Sequence, residues 1–251
     1  MAQLNFITVS VGPKYGPEYV NALYKAVCKH YTGVQKWAFY CVTDQPADKL
    51  EAGIRIIRPL ESIEVPGWWN KLYLFTPLMP KGRLCYMDLD LVVVGDFGSI
   101  VDGYDGEFMG DEDHIHFGSE LFKLGDYANN LPPIDCSLGT AFVVMDSGFG
   151  RHIWRHYISN QDFVHRVFKR HGDQVYISWQ LNGKFDLLER LRPDDHGFAS
   201  YKFNIKGEAP ENAINSKQMK VEDCRFINFH GDPKPRKLKY KPKWLKEALF
   251  L

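Results

Sequence analysis

The stretch Arg83-Leu84-Cys85-Tyr86-Met87-Asp88-Leu89-Asp90-Leu91-Val92-Val93-Val94 is an apolar run interrupted by two carboxylates at alternate positions. The run predicts a buried strand, and alternation along an extended chain places Asp88 and Asp90 on the same side of it. An ionised carboxylate in an apolar setting is costly unless it is paired or bound to a metal. The two acids are therefore either ordinary turn-forming residues at a strand end or the ligands of a metal site.

The segments before this run predict three further strands and a helix. Phe6–Val11, Trp37–Val42 and Ile54–Ile57 are rich in β-branched and aromatic residues, as strands are. Between the first two, apolar residues recur at helical spacing from Pro17 to Val27. This order predicts an α/β fold with an open, Rossmann-like and mostly parallel central sheet.

The segments after this region predict a second series of elements. Pro66–Phe75 is expected to be an amphipathic helix in which Trp68 and Trp69 pack and Lys71 lies in the first turns. Further strands are predicted at Gly106–Gly110, Gly139–Met145 and Arg225–Phe229, and helices at Ile153–Ser159, at Val164–Arg170 and from Asp173 onward. Residues 111–137 lack periodicity and predict a long functional loop.

Several of the predicted strands are followed by polar residues. In an open parallel sheet ligands bind beyond the carboxyl ends of the strands, so Val11-Gly12, Thr43-Asp44 and the Asp88–Asp90 segment should share one edge. The loop Gly12–Gly16 lacks the Gly-x-Gly-x-x-Gly pattern, and no Walker lysine motif is present. Neither a dinucleotide site nor a P-loop is therefore predicted.

Composition narrows the class of protein. The 251 residues include 31 Lys or Arg and 31 Asp or Glu, so the formal net charge is zero and gives no electrostatic support for nucleic-acid binding. Five cysteines, odd in number and without a Cys-x-x-Cys pair, predict a reducing compartment. The sequence shows no secretory signal and no apolar stretch of about 20 residues. A soluble, cytoplasmic protein without a transmembrane segment is expected.

The polar residues predicted at the sheet edge suggest one kind of chemistry. Two carboxylates at one strand end and a histidine at another, His230, would suit a divalent cation that holds a diphosphate. Oxygen ligands with one imidazole favour Mn²⁺, with Mg²⁺ as a substitute. A nearby lysine would add charge stabilisation to a departing diphosphate.

Four segments occur in one order: Tyr86-Met87-Asp88-Leu89-Asp90-Leu91-Val92-Val93, Cys136-Ser137-Leu138-Gly139-Thr140-Ala141, Gly172-Asp173-Gln174 and Asn228-Phe229-His230-Gly231-Asp232-Pro233-Lys234-Pro235. With these segments the chain resembles the GT-A glycosyltransferases, especially the glycogenin-like and galactosyltransferase-like family 8 group. The resemblance covers nearly the whole chain. It implies a GT-A nucleotide-diphospho-sugar transferase fold.

The resemblance also implies roles for individual residues. Asp88, Asp90 and His230 match the metal ligands of the family, and Asp173 and Gln174 match the catalytic pair that faces the transferred sugar in enzymes that retain anomeric configuration. Donor-binding positions implied in the same way are Val9, Val11, Gly12, Tyr15, Asp44, Lys71, Asp88, Gly231 and Lys234.

The activity implied by the resemblance is transfer of a hexose from a nucleoside diphosphate sugar, UDP-linked by expectation, to a hydroxyl acceptor on a carbohydrate, a lipid-linked molecule or a protein. A single catalytic domain over residues 1–251 is implied, with a nucleotide-binding half at 1–110 and an acceptor half at 111–251. The acceptor half ends in a basic segment that could contact a membrane surface peripherally.

Two other functions also fit part of the pattern. Asp88-Leu89-Asp90-Leu91-Val92 matches the nucleophile strand of haloacid-dehalogenase-like phosphatases, where Asp88 would be phosphorylated and Asp194-Asp195 would supply the downstream acids. That strand normally opens the phosphatase fold, whereas a strand-helix-strand unit precedes it here. A non-catalytic nucleotide-sugar-binding protein of the same fold is the second alternative.

Overall fold

The computed structural model describes residues 3–113, 137–169, 172–188, 197–209 and 217–251. Strands and α-helices alternate along the chain in the order β1 (Leu4–Ser10), α1 (Pro17–His30), β2 (Trp37–Thr43), β3 (Ile54–Ile57), β4 (Arg83–Met87), β5 (Leu91–Val93), α2 (Gly98–Asp102), β6 (Phe108–Glu112), β7 (Leu138–Asp146), α3 (Arg151–Ser159), α4 (Gln161–Val167), α5 (Gly172–Leu181), β8 (Asp186–Leu188), β9 (Phe198–Ser200), β10 (Phe226–Asn228) and α6 (Lys243–Ala248).

Tighter turns of helix lie between these elements. They are the 3₁₀ segments Ala47–Lys49, Gly67–Phe75, Val221–Asp223 and Pro235–Lys237, and a π-type turn at Tyr201–Ile205.

The described strands form one large sheet and one small sheet. The seven-stranded sheet has the order β3-β2-β1-β4-β7-β6-β8, and its pairs are parallel except where β7 lies antiparallel between β4 and β6. The small sheet has the order β5-β10-β9. The prediction of an α/β fold with a mostly parallel central sheet is confirmed.

The direction of the strands decides which residues meet at the upper edge of the large sheet. β1, β2, β4 and β6 run the same way, so their carboxyl ends at Ser10, Thr43, Met87 and Glu112 lie along one edge. The antiparallel β7 contributes its first residues, near Thr140, to the same edge.

Alternation in the strands separates the core into two layers. Phe6, Cys85 and Met87 face the layer that contains α1, whereas Ile7 and Tyr86 face the layer built by the Gly67–Phe75 segment and helices α3 to α5. A third apolar cluster lies between the small sheet and α6. The large sheet is thus covered on both faces.

The Asp88–Asp90 segment lies in a break between two strands, which corrects the prediction that it is part of a single buried strand. β4 ends at Met87, and the amide of Leu91 donates to the carbonyl of Asp88 at 3.1 Å to form a turn. The chain then enters β5, which pairs with β10 in the small sheet. The break therefore lies where the chain passes from one sheet to the other.

Two further predictions differ from the structure. Gly67–Phe75 is a 3₁₀ helix, not an α-helix, and its three-residue period places Trp68 and Lys71 on the same face. Trp69 packs in the core at 5% exposure as predicted, but Trp68 is 56% exposed. The strand predicted at Gly106–Gly110 is Phe108–Glu112, so its carboxyl end comes two residues later. The predicted loop at residues 111–137 lies mostly outside the described residues.

No helix in the part of the chain that the structure describes is both long enough and apolar enough to span a membrane.

Candidate active site

A cavity of about 470 Å³ opens at the carboxyl edge of the large sheet, a volume in the usual range for small-molecule sites. We call it the central cavity. Many of the site residues predicted from sequence line it, namely Val9, Val11, Tyr15, Lys71, Asp88, Asp90, Asp173, Gln174, His230 and Gly231.

Lys71 connects two of the carboxylates in the central cavity. Its Nζ lies 3.1 Å from Oδ2 of Asp88 and 3.3 Å from Oδ2 of Asp173, and it donates at 2.9 Å to the carbonyl and the hydroxyl oxygens of Thr140. Burial by itself lowers the pKa of Lys71, but the Asp173 and Asp88 carboxylates outweigh it and raise that pKa. Lys71 is therefore a charged ammonium held between β4, β7 and α5.

Asp88 is held on both of its oxygens. The hydroxyl of Tyr86 donates to Oδ1 of Asp88, while Lys71 donates to Oδ2. Burial raises the pKa of Asp88 to about 6; the Lys71 ammonium opposes that rise, and the neighbouring Asp90 adds to it. Two neighbouring carboxylates, Asp88 and Asp90, are electrostatically costly in a buried site, and the buried ammonium of Lys71 offsets that cost at Asp88.

Asp90 has a different cation. Lys234 donates from Nζ to Oδ2 of Asp90, and the hydroxyl of Tyr15 donates to the same oxygen at 3.1 Å. Lys234 also donates to the carbonyl of Phe229 at 3.2 Å. Burial, followed by the charges of Asp90 and Asp88, raises the pKa of Tyr15, so its hydroxyl stays protonated. The loop after β1 is thereby connected to the segment after β10.

His230 lines the central cavity, and its ring contacts the end of β9 and the turn that follows it. Nε2 of His230 lies 2.7 Å from Oγ of Ser200, at the end of β9, and the ring makes an edge contact with Phe203 at 4.9 Å between centroids. Among the described residues, no three His, Cys, Asp or Glu side chains converge closely enough to hold a metal ion. The assignment of Asp88, Asp90 and His230 as metal ligands stays a prediction.

The catalytic pair predicted at the start of α5 faces the same space. Asp173 is 7% exposed, and Gln174 donates from Nε2 to Oδ2 of Asp113 at 2.7 Å. Gly172, with φ of +68°, allows the sharp entry into α5 that places both side chains at the cavity. Gln174 at the start of α5 is thereby connected to Asp113, which follows β6.

Three of the predicted residues, all in the described part of the chain, are not among those that line the cavity. The amide of Gly12 donates to Oδ2 of Asp44 at 3.0 Å, which connects the loop after β1 to the end of β2. Gly12 has φ of +80°, a backbone conformation that favours glycine. Lys234 is the third, at 8% exposure beneath Asp90. Gly12 and Asp44 thus shape the loop that carries Val11 and Tyr15.

Asp111 and Asp113 are cavity residues that the sequence reasoning did not assign to the site. Oδ1 of Asp111 accepts from the amide of Phe142 at 2.9 Å, at the point where the register between β6 and β7 shifts. Asp111-Glu112-Asp113 repeats the alternating spacing of Asp88-Leu89-Asp90 at another strand end. That repeated pattern was the available signal.

The charge balance of the central cavity suits a bound cation. Among its described residues, five carboxylates line the cavity, on Asp88, Asp90, Asp111, Asp113 and Asp173, whereas the nearby ammonium groups belong to Lys14, Lys71 and Lys234. A diphosphate would bring more negative charge into this space, at a high cost unless a divalent cation accompanies it. Carboxylate oxygens and an imidazole nitrogen are ligands that Mn²⁺ and Mg²⁺ accept.

Comparison with known proteins gives structural matches without sequence matches. No family model and no curated protein sequence matches the chain. A crystal structure of an active-site mutant of LgtC superposes with a TM-score of 0.63 at 13% identity, covering 97% of this chain and 93% of LgtC. The galactosyltransferase LgtC in complex with donor and acceptor sugar analogues superposes with a TM-score of 0.62 at 12% identity, covering 98% and 95%.

The chain has the GT-A glycosyltransferase fold. The apo structure of the bifunctional glycosyltransferase WbbM agrees, with a TM-score of 0.67 at 11% identity over 99% of this chain and 50% of WbbM. GlyE from Streptococcus pneumoniae matches over all of this chain and 61% of its own length, with a TM-score of 0.62 at 11% identity. The structural resemblance to GT-A glycosyltransferases predicted from sequence is confirmed.

Proposed function

We propose that the protein is a metal-dependent glycosyltransferase that moves a hexose from a UDP-linked donor to a hydroxyl acceptor with retention of anomeric configuration. The observation that supports this most directly is the Lys71 ammonium between Asp88 and Asp173. The Lys71 ammonium holds Asp88, which is proposed to bind the donor's metal, next to Asp173, which is proposed to face the transferred sugar. Both carboxylates line the cavity at the carboxyl edge of the large sheet, and open α/β sheets bind their ligands beyond that edge.

The donor would lie along the part of the cavity formed by the loop after β1. Val9, Val11 and Tyr15 give that part an apolar and aromatic wall suited to a base, and Asp44 supports the loop through Gly12. The proposed division of the chain follows from this placement. Residues 1–110 would hold the nucleotide, and residues 111–251 would form the acceptor side.

Asp88, Asp90 and His230 are the residues that would hold Mn²⁺, or Mg²⁺ in its place. The bound cation would neutralise the charge that develops on the departing diphosphate. Lys234 would add a point charge to the same oxygens, because its ammonium already lies against Asp90. Gly231 comes next to His230 on the cavity wall, where a backbone without a side chain permits close approach.

Asp173 would face the anomeric carbon of the transferred sugar. Its carboxylate is largely excluded from water and lies 3.3 Å from a permanently charged ammonium, so it is suited to stabilise an oxocarbenium-like transition state or to act as a nucleophile. Gln174 would contact a sugar hydroxyl while donating to Asp113. Retention of configuration in the product is the outcome proposed for this arrangement.

The fold does not favour a phosphatase. β4 follows β1, β2 and β3 in the chain, and both oxygens of Asp88 already accept hydrogen bonds from Tyr86 and Lys71. Asp194-Asp195 lies outside the described residues. A non-catalytic nucleotide-sugar-binding protein of this fold would have the same cavity, so turnover is the property that separates it from the enzyme.

The test is release of UDP from a panel of UDP-hexoses, with and without Mn²⁺. We expect Mn²⁺-dependent release that is lost in Asp90→Asn and retained in Asp105→Asn, which removes an exposed carboxylate from another part of the surface. Binding of UDP-sugar without any release would support the non-catalytic alternative. Product anomers measured by NMR test retention, and an inverted product would contradict the role of Asp173.

The basic segment Lys234–Lys243 is proposed as a peripheral contact with an anionic surface. Lys237, Lys239 and Lys243 are exposed there, and Tyr240 is 80% exposed with the ammonium of Lys239 at 5.3 Å from its ring centroid. Co-sedimentation with phosphatidylserine vesicles but not with phosphatidylcholine vesicles is the expected result.

Cys41, Cys85 and Cys224 are buried free thiols, which supports the cytoplasm as the proposed compartment.

A further inference from the structure

Asn228 is a buried polar residue at the end of β10, the middle strand of the small sheet. The residue is 6% exposed, and within the described part of the chain its side-chain amide has no hydrogen-bond partner. An asparagine amide offers two N–H donors and one carbonyl acceptor, and leaving them unpaired in a buried place destabilises a fold. Packing of the fold therefore gives no reason for an asparagine at this position.

Two other buried asparagines use their amides within the fold. Nδ2 of Asn5 donates to the carbonyl of Lys81 at 3.1 Å, at the start of β1. Nδ2 of Asn70 donates to the carbonyl of Gly67 at 2.8 Å, within the 3₁₀ segment. Each of these amides satisfies a backbone carbonyl, as most buried polar side chains do. Asn228 has no such role among the described residues.

The alternation of side chains along β10 aims Asn228 at the central cavity. Phe226 packs in the core layer that contains α1, whereas Ile227 packs in the apolar cluster beside α6. Asn228 follows on the face of Phe226, where the strand ends, and both Asn228 and His230 line the cavity. The amide therefore opens onto the space where a ligand binds and not onto apolar core.

Two of the proposed metal ligands lie next to Asn228. In the antiparallel pairing of β10 with β5, Asn228 is opposite Leu91, the residue that follows Asp90. The next amide along the chain, that of Phe229, donates to the carbonyl of Asp90 at 3.0 Å. His230 comes two residues after Asn228 on the wall of the same cavity. A diphosphate held by a cation at Asp90 and His230 would therefore come next to the Asn228 amide.

The charges around Asn228 favour a neutral hydrogen-bond donor at this position. The ammonium groups of Lys71 and Lys234 are already paired with carboxylates. A further carboxylate beside Asp90 would repel phosphate oxygens, and an aliphatic side chain would offer them no hydrogen bond. An amide offers two N–H donors without adding charge, and a hydrogen bond to an ionised acceptor is stronger than one to a neutral acceptor. The Asn228 amide is therefore suited to bind a phosphate group.

We propose that Asn228 is a donor-binding residue whose side-chain amide donates to the diphosphate oxygens of the nucleotide sugar, on the side of the cavity formed by Asp90 and His230. The inference rests on the proposed glycosyltransferase function and adds to its donor site a residue to which the sequence pattern assigned no role. The amide has no partner in the free protein and gains one when the diphosphate binds. Its cost to the stability of the free protein is thus offset in the complex.

Replacing Asn228 with leucine separates ligand affinity from stability. The two side chains are similar in size, so Asn228→Leu should not lower the melting temperature, because an unpartnered buried amide gives way to an apolar group. The affinity for UDP in the presence of Mn²⁺ should fall about tenfold, because the phosphate oxygens lose their donor. Thermal unfolding and calorimetric titration measure the two effects. A lower melting temperature with unchanged UDP affinity would make Asn228 a structural residue and overturn the proposal.

Asn228→Asp keeps the shape of the side chain but exchanges its N–H donors for a carboxylate. UDP affinity should fall about 100-fold, further than in Asn228→Leu, because the phosphate oxygens also meet a negative charge. This variant gives the answer if Asn228→Leu does not fold, and an unchanged UDP affinity in it would overturn the proposal. Mn²⁺ affinity, measured without nucleotide, should stay the same in Asn228→Leu. Equal losses of Mn²⁺ and UDP affinity there would make the amide a metal ligand and overturn the assignment to the diphosphate.

Uridine and a remote asparagine supply the controls. Uridine lacks the diphosphate, so its affinity should be the same in Asn228→Leu as in the unaltered protein, and a parallel loss would move the contact to the base or ribose. Asn5→Leu removes a partnered buried amide at the amino end of β1, away from the cavity. It should lower the melting temperature and leave UDP affinity unchanged. A loss of UDP affinity in Asn5→Leu equal to that in Asn228→Leu would contradict a specific role for Asn228.

The same titrations distinguish failure of this inference from failure of the proposed function. If the unaltered protein binds UDP with Mn²⁺ and Asn228→Leu binds it equally well, the role of Asn228 fails alone. If the unaltered protein binds no UDP, the donor assignment fails, and the role of Asn228 fails with it.

Discussion

The ammonium nitrogen of Lys71 lies 3.3 Å from Oδ2 of Asp173, across the boundary between the 3₁₀ segment Gly67–Phe75 and helix α5. The same nitrogen lies 3.1 Å from Oδ2 of Asp88. One cation thus sets the separation of two carboxylates that belong to different elements. The start of α5 and the turn between β4 and β5 are therefore connected through one buried side chain.

Replacing Lys71 with methionine should damage stability and activity together. The side chain is nearly isosteric, but two carboxylates lose their shared cation, so we expect the free energy of unfolding to fall by about 3 kcal/mol. UDP-hexose turnover should fall about 100-fold because Asp173 loses its position. Urea unfolding and UDP release measure the two effects. Lys81→Met, on an exposed lysine, is the control, and equal effects of both variants would contradict the assigned role.

Replacing Lys234 with alanine should change metal and nucleotide binding in opposite directions. In the absence of nucleotide, removal of the ammonium from Asp90 should tighten Mn²⁺ binding about tenfold, because the two cations compete for one carboxylate. UDP binding in the presence of Mn²⁺ should weaken about tenfold, because the diphosphate loses a point charge. Calorimetry measures both affinities.

The exposed neighbour Lys237 supplies the matched control for that experiment. Lys237→Ala should leave both affinities within about twofold of the starting values. A parallel loss of Mn²⁺ and UDP affinity in Lys234→Ala would mean that Lys234 supports the shape of the site instead of competing for Asp90.

Replacing Gln174 with glutamate should create a pH-dependent loss of stability. The hydrogen bond from Gln174 to Asp113 becomes a contact between two carboxyl groups, which raises their folded-state pKa values above the unfolded ones. The penalty, about 1–2 kcal/mol, should be present at neutral pH and should disappear as the pH falls and the pair takes up a shared proton. Thermal unfolding at about pH 7.5 and about pH 5 measures it.

Gln180→Glu, a charge change on the same helix, serves as the comparison for Gln174→Glu. It should shift the melting temperature by a similar small amount at both pH values. A pH-independent loss in Gln174→Glu would indicate that the glutamine acts through shape and not through its bond to Asp113.

His156 and His165 should make the protein less stable in mild acid. Burial lowers the pKa of each below 6.5, and each ring nitrogen lies 3.0 Å from a tyrosine hydroxyl, on Tyr176 and Tyr157 respectively. Their contribution is fully present above the unfolded pKa and is lost as the pH falls below it, because the unfolded chain binds protons more readily. The melting temperature should fall between about pH 7.5 and pH 5.5.

The double variant His156→Gln/His165→Gln should have a flatter dependence of melting temperature on pH over that range. His152→Gln, on the exposed side of α3, should keep the original slope. An unchanged slope in the double variant would assign the acid sensitivity to other groups.

The strands of the first half could be predicted from sequence because their residues alternate between two buried faces. Phe6 and Ile7 pack into different core layers, and β2 and β3 carry the same kind of signal. The shared sheet edge then followed from strand direction alone. The sequence pattern therefore predicts that Val11, Asp88 and Asp90 share one edge of the sheet.

The charge partners within the cavity could not be predicted, because they depend on how distant elements pack. The pairing of β10 with β5 brings the segment that carries Lys234 next to Asp90. The 3₁₀ segment Gly67–Phe75 carries Lys71, whose ammonium lies against Asp88 and Asp173. Asp113 was missed because the end of β6 was placed two residues too early. Local pattern specifies which residues form a strand, but not what faces them across the fold.

The break at Asp88–Asp90 sets limits on how this fold can be recombined. β5 takes its neighbour in the small sheet from β10, and the amide of Phe229 donates to the carbonyl of Asp90 at 3.0 Å. A chimera joined anywhere between β5 and Lys234 would inherit Asp90 from one parent and its cation from the other. Domain exchange should therefore keep that whole interval from a single parent.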